Sequence, residues 1–211
     1  MDTKQIVSRI RENIAQAIVG KDEVVELVLI ALMSQGHVLI EDVPGMGKTA
    51  LVSSLARSVG CTFARIQFTP DVLPSDITGF TMPGSQGQFE FRPGPLMSQI
   101  VLADEINRTS PKTQSALLEA MEERQITVDG VTYPLPAPFM VLATQNPVEY
   151  IGTYPLPEAQ MDRFFMRITM GYPSAREEMD ILARYAHDNP REHLSAVVND
   201  QDILALQAQA R

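Results

Sequence analysis

Residues 38–49, VLIEDVPGMGKT, constrain the chain more than any other stretch. Val38, Leu39 and Ile40 form a short apolar run, which suits a parallel strand buried on both faces. Pro44, Gly45 and Gly47 then break the chain, and Lys48 and Thr49 open a helical stretch closed by Gly60. Strand, glycine loop and helix in this order build a phosphate cradle. The N–H groups of the loop (Pro44 has none, but Gly45, Met46 and Gly47 do) and of the helix start (Lys48, Thr49, Ala50) converge on one point and favour an anion there. From that position Lys48 reaches the β- and γ-phosphates of a nucleotide, and the Thr49 hydroxyl can ligate Mg²⁺. The pattern G-x-x-x-x-G-K-[ST] is met at Gly47, Lys48 and Thr49 and missed at its first position, where Asp42 stands. A chance glycine turn before a helix is the alternative; the flanking strand and helix count against it.

A chain of 211 residues holds one ordinary domain, or one domain and part of another. With 45% apolar residues it can bury a core. The net charge of −9, without any run of Lys and Arg, argues against a nucleic-acid partner, although a local basic patch can hide in an acidic total. Cys61 is the single cysteine, so no disulfide forms within the chain and a reducing, cytoplasmic setting is expected. The first residues, MDTKQIVSRIRENIAQ, are charged and helical in pattern, unlike a secretory signal. No run of about 18 apolar residues occurs, so no membrane span is expected. His37, His187 and His193 are scattered without ligand spacing, which argues against a zinc site.

Along the chain, Ile6, Ile10, Ile14 and Ala17 mark one helix and residues 24–32 a second. The break between them, Val19-Gly20, either sets backbone against an adenine ring or is a plain helix–helix turn; the residues alone favour the turn. Residues 61–68 read as the second strand. Phe89 and Phe91, in an alternating segment after the turn cluster at 83–87, are either a packed cluster or a contact surface. Residues 100–103 are a third, buried strand ending at Asp104-Glu105, and ligands of open α/β sheets bind at such ends. Asp104 would hold Mg²⁺, and Glu105 would polarise an attacking water as general base. Ser110 caps a helix running to about Arg124, with Pro111 in its first turn. Residues 125–133 form a hairpin about Asp129-Gly130. The strand at 139–144 is followed by Gln145-Asn146-Pro147. Asn146 orients the water or touches the γ-phosphate, or else merely forms a turn before proline. The fifth strand is expected at 165–170. Just before it, Arg163 is either a cation for a neighbouring subunit's phosphates or half of a surface ion pair with Asp162; the residues alone favour the ion pair. Ser174 and Glu177 form a capping box. Residues 1–173 thus read as one α/β unit, and 174–211 as the beginning of a truncated helical domain.

With both phosphate motifs and the Asn146 strand in place, the chain resembles the MoxR family of AAA+ ATPases. The segments that carry the resemblance are LIEDVPGMGKT, FRPGPL, LADEINRTSPKTQSALLEAMEERQITVDG, ATQNPVEYIGTYPLPEAQMDRF and GYPSAREE. It implies an α/β P-loop AAA+ core, with a five-stranded parallel sheet flanked by helices on both faces, followed by a helical lid. It also implies ATP and Mg²⁺ as ligands. Lys48 and Thr49 become the Walker A residues, Asp104 and Glu105 Walker B, Asn146 sensor 1, and Arg163 the arginine finger supplied in trans. Residues 80–91 correspond to the helix-2 insert and 125–139 to the hairpin before sensor 1, while the lid's sensor-2 arginine has no counterpart here. The family further implies a homo-oligomeric ring, expected to be a hexamer, von Willebrand factor A-type partners, and a chaperone activity on protein clients that extends to maturing metal-dependent enzymes.

Three other functions are weighed. A nucleic-acid motor needs basic pore hairpins, and residues 125–139 contain Asp129 and no Lys or Arg. A guanine-nucleotide switch needs an Asn-Lys-x-Asp segment, which is absent. A nucleotide-bound regulatory module without turnover has no use for Glu105 and Arg163.

Overall fold

The computed structural model describes residues 3–43, 45–84, 88–147, 152–186 and 188–210. Pro44, His187 and most of the turn expected at 83–87 lie outside the described residues. Two helices come first, α1 (Thr3–Ala15) and α2 (Asp22–Met33), then β1 (Val38–Glu41), α3 (Lys48–Ser58) and β2 (Phe63–Gln67). The short helix α4 (Pro74–Thr78) leads into the hairpin β3 (Gly79–Pro83) and β4 (Phe89–Pro93), and then to β5 (Ile100–Asp104). Helix α5 (Pro111–Glu123), the hairpin β6 (Gln125–Val128) and β7 (Val131–Pro134), and β8 (Met140–Gln145) follow. Last come α6 (Glu158–Met161), β9 (Met166–Ile168), α7 (Ala175–Tyr185) and α8 (Asp200–Gln209). No helix among the described residues is long and apolar enough to cross a membrane.

The main sheet has five strands in the order β2-β5-β8-β1-β9, all parallel. Its alternation sorts side chains into two layers. Val38 and Ile40 of β1, with Ile100, Leu102, Met140 and Leu142, pack under α1, α2, α3 and α8. Leu39, Val101, Ala103, Val141 and Ala143 point the other way, toward α5 and the β6–β7 hairpin. Strands buried on both faces must be apolar throughout, which is why residues 38–40, 100–103 and 140–143 lack the polar alternation of a half-exposed sheet. Each fully buried aliphatic side chain contributes about 1.5–3 kcal/mol.

The expected strands are present, with two differences. The last is shorter than its apolar run, covering Met166–Ile168, and β2 is an edge strand with only Ile66 buried. The expected hairpin turns at Asp129-Gly130, both at positive φ (49° and 80°), as the type I′ geometry requires. The two small hairpins lie against each other, with Phe91 stacked on Tyr133 at 4.1 Å and the Thr81 hydroxyl donating to the Asp129 carboxylate. The Phe89/Phe91 alternative therefore splits: Phe91 packs, and Phe89 is 75% exposed.

His37, immediately before β1, locks three elements together. Its Nδ1 accepts the Val141 N–H at 2.9 Å, and its Nε2 lies 3.1 Å from the Met121 carbonyl, to which the neutral ring donates. Burial, with Arg124 nearby, pushes its pKa down to about 3. The unfolded chain therefore takes up a proton near pH 6.5 that the fold refuses until about pH 3, so His37 contributes stability that is complete above pH 6.5 and lost as pH falls through that window. Urea unfolding should show this as a loss of up to ~1.4 kcal/mol per pH unit. A His37→Gln variant should show a lower stability at pH 7 and a flatter dependence between pH 6.5 and 4; an unchanged slope would remove His37 as its source.

Candidate nucleotide site

The C-terminal ends of the parallel strands meet the glycine loop in one cleft of about 370 Å³. Gly45, Met46, Gly47, Lys48, Thr49 and Ala50 form one wall, and Asp104 and Glu105 at the end of β5 form the other. Gly45 and Gly47 have φ of 89° and 82°, and nothing lies within 4 Å of where their Cβ atoms would be. Backbone conformation, not crowding, is thus what requires glycine here. A second lobe of about 250 Å³ shares Gly45, Met46, Gly47 and Ala50, and its remaining wall is mostly apolar, with Ile18, Val19, Met170, Pro173 and Ile181. Tyr185 lines both lobes. Gly20 (φ +66°) is not among the lining residues; a Cβ there would lie 1.8 Å from the Glu177 carboxylate, so its lack of a side chain admits the capping box of α7.

The charges are tightly partnered. Lys48 Nζ donates to the Asp42 carbonyl at 2.9 Å. Burial lowers the Lys48 pKa below the usual ammonium range, and Asp104, Asp42 and Glu105 partly restore it. Asp104, 9% exposed, accepts the Thr144 hydroxyl at 2.6 Å and Arg65 Nη2 at 2.6 Å. The Thr144 oxygen in turn accepts the Glu105 N–H at 2.9 Å. Glu105 sits at φ 59°, a left-handed conformation that costs a non-glycine residue about 1–2 kcal/mol. Its carboxylate accepts Gln67 Nε2 at 2.8 Å and pairs with Arg108 at 3.3 Å.

The pattern of the family described as "ATPase family associated with various cellular activities (AAA)" matches residues 37–166. Over 197 residues, 92% of this chain, it is 50% identical to Chaperone MoxR1 of Mycobacterium tuberculosis. The chain belongs to the MoxR family of AAA+ ATPases. It is also 56% identical over its whole length to the uncharacterized protein YeaC of Bacillus subtilis. A crystal structure from Cytophaga hutchinsonii, described there as a candidate ATPase, superposes with a TM-score of 0.90 at 42% identity over 98% of this chain. The chain spans 66% of YeaC, 52% of MoxR1 and 63% of the Cytophaga chain.

Against this MoxR framework, Asp42 has a use that the phosphate-loop consensus does not contain. Its Oδ2 accepts the N–H groups of Met170 at 2.6 Å and Gly171 at 3.0 Å, just beyond β9. Lys21 Nζ takes the carbonyls of the same two residues at 2.7 and 3.0 Å. Asn146 directly follows β8 at the same edge of the sheet as Asp104, and is not among the residues lining either lobe. Arg163 stands apart from both lobes. Its Nε pairs with Glu122 of α5 at 2.8 Å, and its Nη1 donates to the Ala159 carbonyl at 3.2 Å. The expected pair with Asp162 gives way to Glu122, because adjacent residues of a helical turn do not face each other.

Residues that sequence reasoning passed over complete the cleft: Arg65, Gln67, Thr144, Tyr185 and Arg191. Arg65 and Gln67 flank buried Ile66 at strand spacing, so the polar face of β2 was there to be read. Asp42→Gly would restore the consensus residue, yet it removes the acceptor of two backbone N–H groups. We expect it to destabilise the fold by about 1–2 kcal/mol in urea unfolding, since hydrogen bonds to a charged group contribute on that order. Stability equal to or above wild type would show that Asp42 does not secure the segment after β9.

Proposed function

We propose that this chain binds ATP with Mg²⁺, hydrolyses it, and does so as part of a ring that remodels protein complexes. The observation that carries the reading is the convergence of Lys48, Thr49, Asp104 and Glu105 on a single cleft beside an apolar lobe. The lobe bounded by Val19, Met46 and Ile181 suits the adenine ring. Lys48 exchanges the Asp42 carbonyl for the β- and γ-phosphates, and the loop N–H groups from Gly45 to Ala50 hold the same oxygens. The Thr49 hydroxyl and the Asp104 carboxylate are oxygen donors of the kind a hard cation takes, and both line the cleft, so they would hold Mg²⁺, which neutralises phosphate charge when bound. Glu105 takes the proton of the attacking water once freed from Gln67 and Arg108, and Asn146 orients that water from the neighbouring strand.

Arg163 serves the next subunit, exchanging Glu122 for its phosphates. The pair it leaves is 37% and 56% exposed, so breaking it costs at most about 1 kcal/mol. The contact is head-to-tail, and a closed ring, expected to be a hexamer, satisfies it. Residues 174–211 belong to the lid in this reading. The name of the relative Chaperone MoxR1 supports a chaperone role. Clients would meet the paired hairpins, where Phe80, Met82 and Phe89 are exposed. Von Willebrand factor A-type partners, the maturation of metal-dependent enzymes and a cytoplasmic setting belong to this reading by family resemblance.

Two experiments test it. Glu105→Gln should bind ATP and hold it, with single-turnover hydrolysis slower by roughly a hundredfold or more, whereas Lys48→Ala should lose binding in calorimetry. Hydrolysis at the wild-type rate by Glu105→Gln would place the base elsewhere. For the finger, Arg163→Ala alone and Lys48→Ala alone should both be inactive, and mixing them should recover turnover, because one supplies the arginine and the other the bound ATP. No recovery at any ratio would confine Arg163 to its pair with Glu122.

A further inference from the structure

Arg65 is a cation that nothing in the phosphate motifs calls for. It stands on the edge strand β2, and its Nη2 lies 2.6 Å from Asp104 Oδ2 and 2.7 Å from Gln67 Oε1. The other Asp104 oxygen is taken by the Thr144 hydroxyl at 2.6 Å. Both oxygens of the carboxylate that would face the metal are therefore in use within the resting cleft. The two contacts differ in how easily they yield. Thr144 is fully buried on β8, while the Arg65 side chain is 45% exposed and hangs from a strand at the edge of the sheet among the described residues. Removing Thr144 means disturbing the sheet; moving Arg65 needs only a rotation of an exposed side chain, with Gln67 already positioned to keep the guanidinium.

We propose that Arg65 is a positioning residue that guards Asp104, neutralising it while the cleft is empty and competing with Mg²⁺ for the same oxygen. The inference rests on the nucleotide reading of the cleft and adds a regulation to it. A guanidinium and a divalent cation drawn to the same carboxylate oxygen repel each other at close range, so part of the metal's binding free energy goes into moving Arg65 aside. In return, Asp104 does not stand as an uncompensated, nearly buried charge before nucleotide arrives. Metal-free nucleotide, which leaves Asp104 alone, meets no such competition.

The test is the ratio of ADP affinities in millimolar Mg²⁺ and in EDTA, measured by calorimetry, which requires no turnover. In Arg65→Gln this ratio should rise by up to about fivefold over wild type, the upper end expected for removing a partly exposed ion pair. Arg65→Lys keeps the charge without the planar fork and should give a smaller rise. Arg167→Gln is the control for loss of a surface cation: Arg167 pairs with Glu41 at 3.8 Å and lines neither lobe of the cleft, and its ratio should stay at the wild-type value. An unchanged or lower ratio in Arg65→Gln overturns the proposal, as does an equal rise in Arg167→Gln. If the wild-type protein bound no ADP under either condition, the nucleotide reading itself would fail, and this inference with it.

Discussion

A lysine partly withdrawn from water and facing three carboxylates sets the terms for the whole cleft. Lys48 is placed by the glycine loop, where Gly45 and Gly47 both take positive φ, yet what surrounds it comes from distant strands. Asp42 stands at the end of β1, and Asp104 and Glu105 at the end of β5. Burial works against the ammonium, and the carboxylates work for it. The carboxylates in turn cannot be left to repel one another, and each has its own partners. Asp42 holds the backbone of Met170 and Gly171, Asp104 holds Thr144 and Arg65, and Glu105 holds Gln67 and Arg108. Each of the three carboxylates is thus already engaged in the resting cleft. A polyanion with its counter-cation can enter only by exchanging these contacts for others, so occupancy and rearrangement are the same event.

What could be read in advance follows from the range of each interaction. Residues 38–40, 100–103 and 139–144 announce buried strands because both of their faces are covered, and the caps at Ser110 and Ser174 and the Asp129-Gly130 turn are local chemistry. The loop and the acidic pair at 104–105 are likewise local, and the cleft brings them together. The partners of Asp42 lie 128 and 129 residues away, and those of Arg65 and Gln67 lie 39 and 38 away. No pattern within a window of a dozen residues contains them. The ion-pair partner of Arg163 was missed for the opposite reason. Its nearest acid in the sequence, Asp162, was the obvious partner, but helical geometry turned it aside and brought up Glu122, 41 residues distant.

The same long-range contacts separate what is held from what is loose beyond β9. Met170 and Gly171 are gripped on their N–H groups by Asp42 and on their carbonyls by Lys21, so the start of the segment is tied to the glycine loop on one side and to the α1–α2 junction on the other. Helix α8 is anchored too, with Ile203 and Leu206 in the layer that covers α2. Between these two fixed ends, α7 buries no residue, and Met179 and Leu182 are each 71% exposed. Its far end is held to α1 mainly through polar contacts, Arg184 with the Ala15 carbonyl and Tyr185 with that of Ala17. Local stability follows buried apolar contact, so α7 is among the elements held least tightly. It is also the element whose Ile181 and Tyr185 close the apolar lobe. A ligand filling that lobe presses on a loosely held helix while the segment beside it stays tied. Any motion driven from the cleft is thereby directed into α7 and away from the sheet.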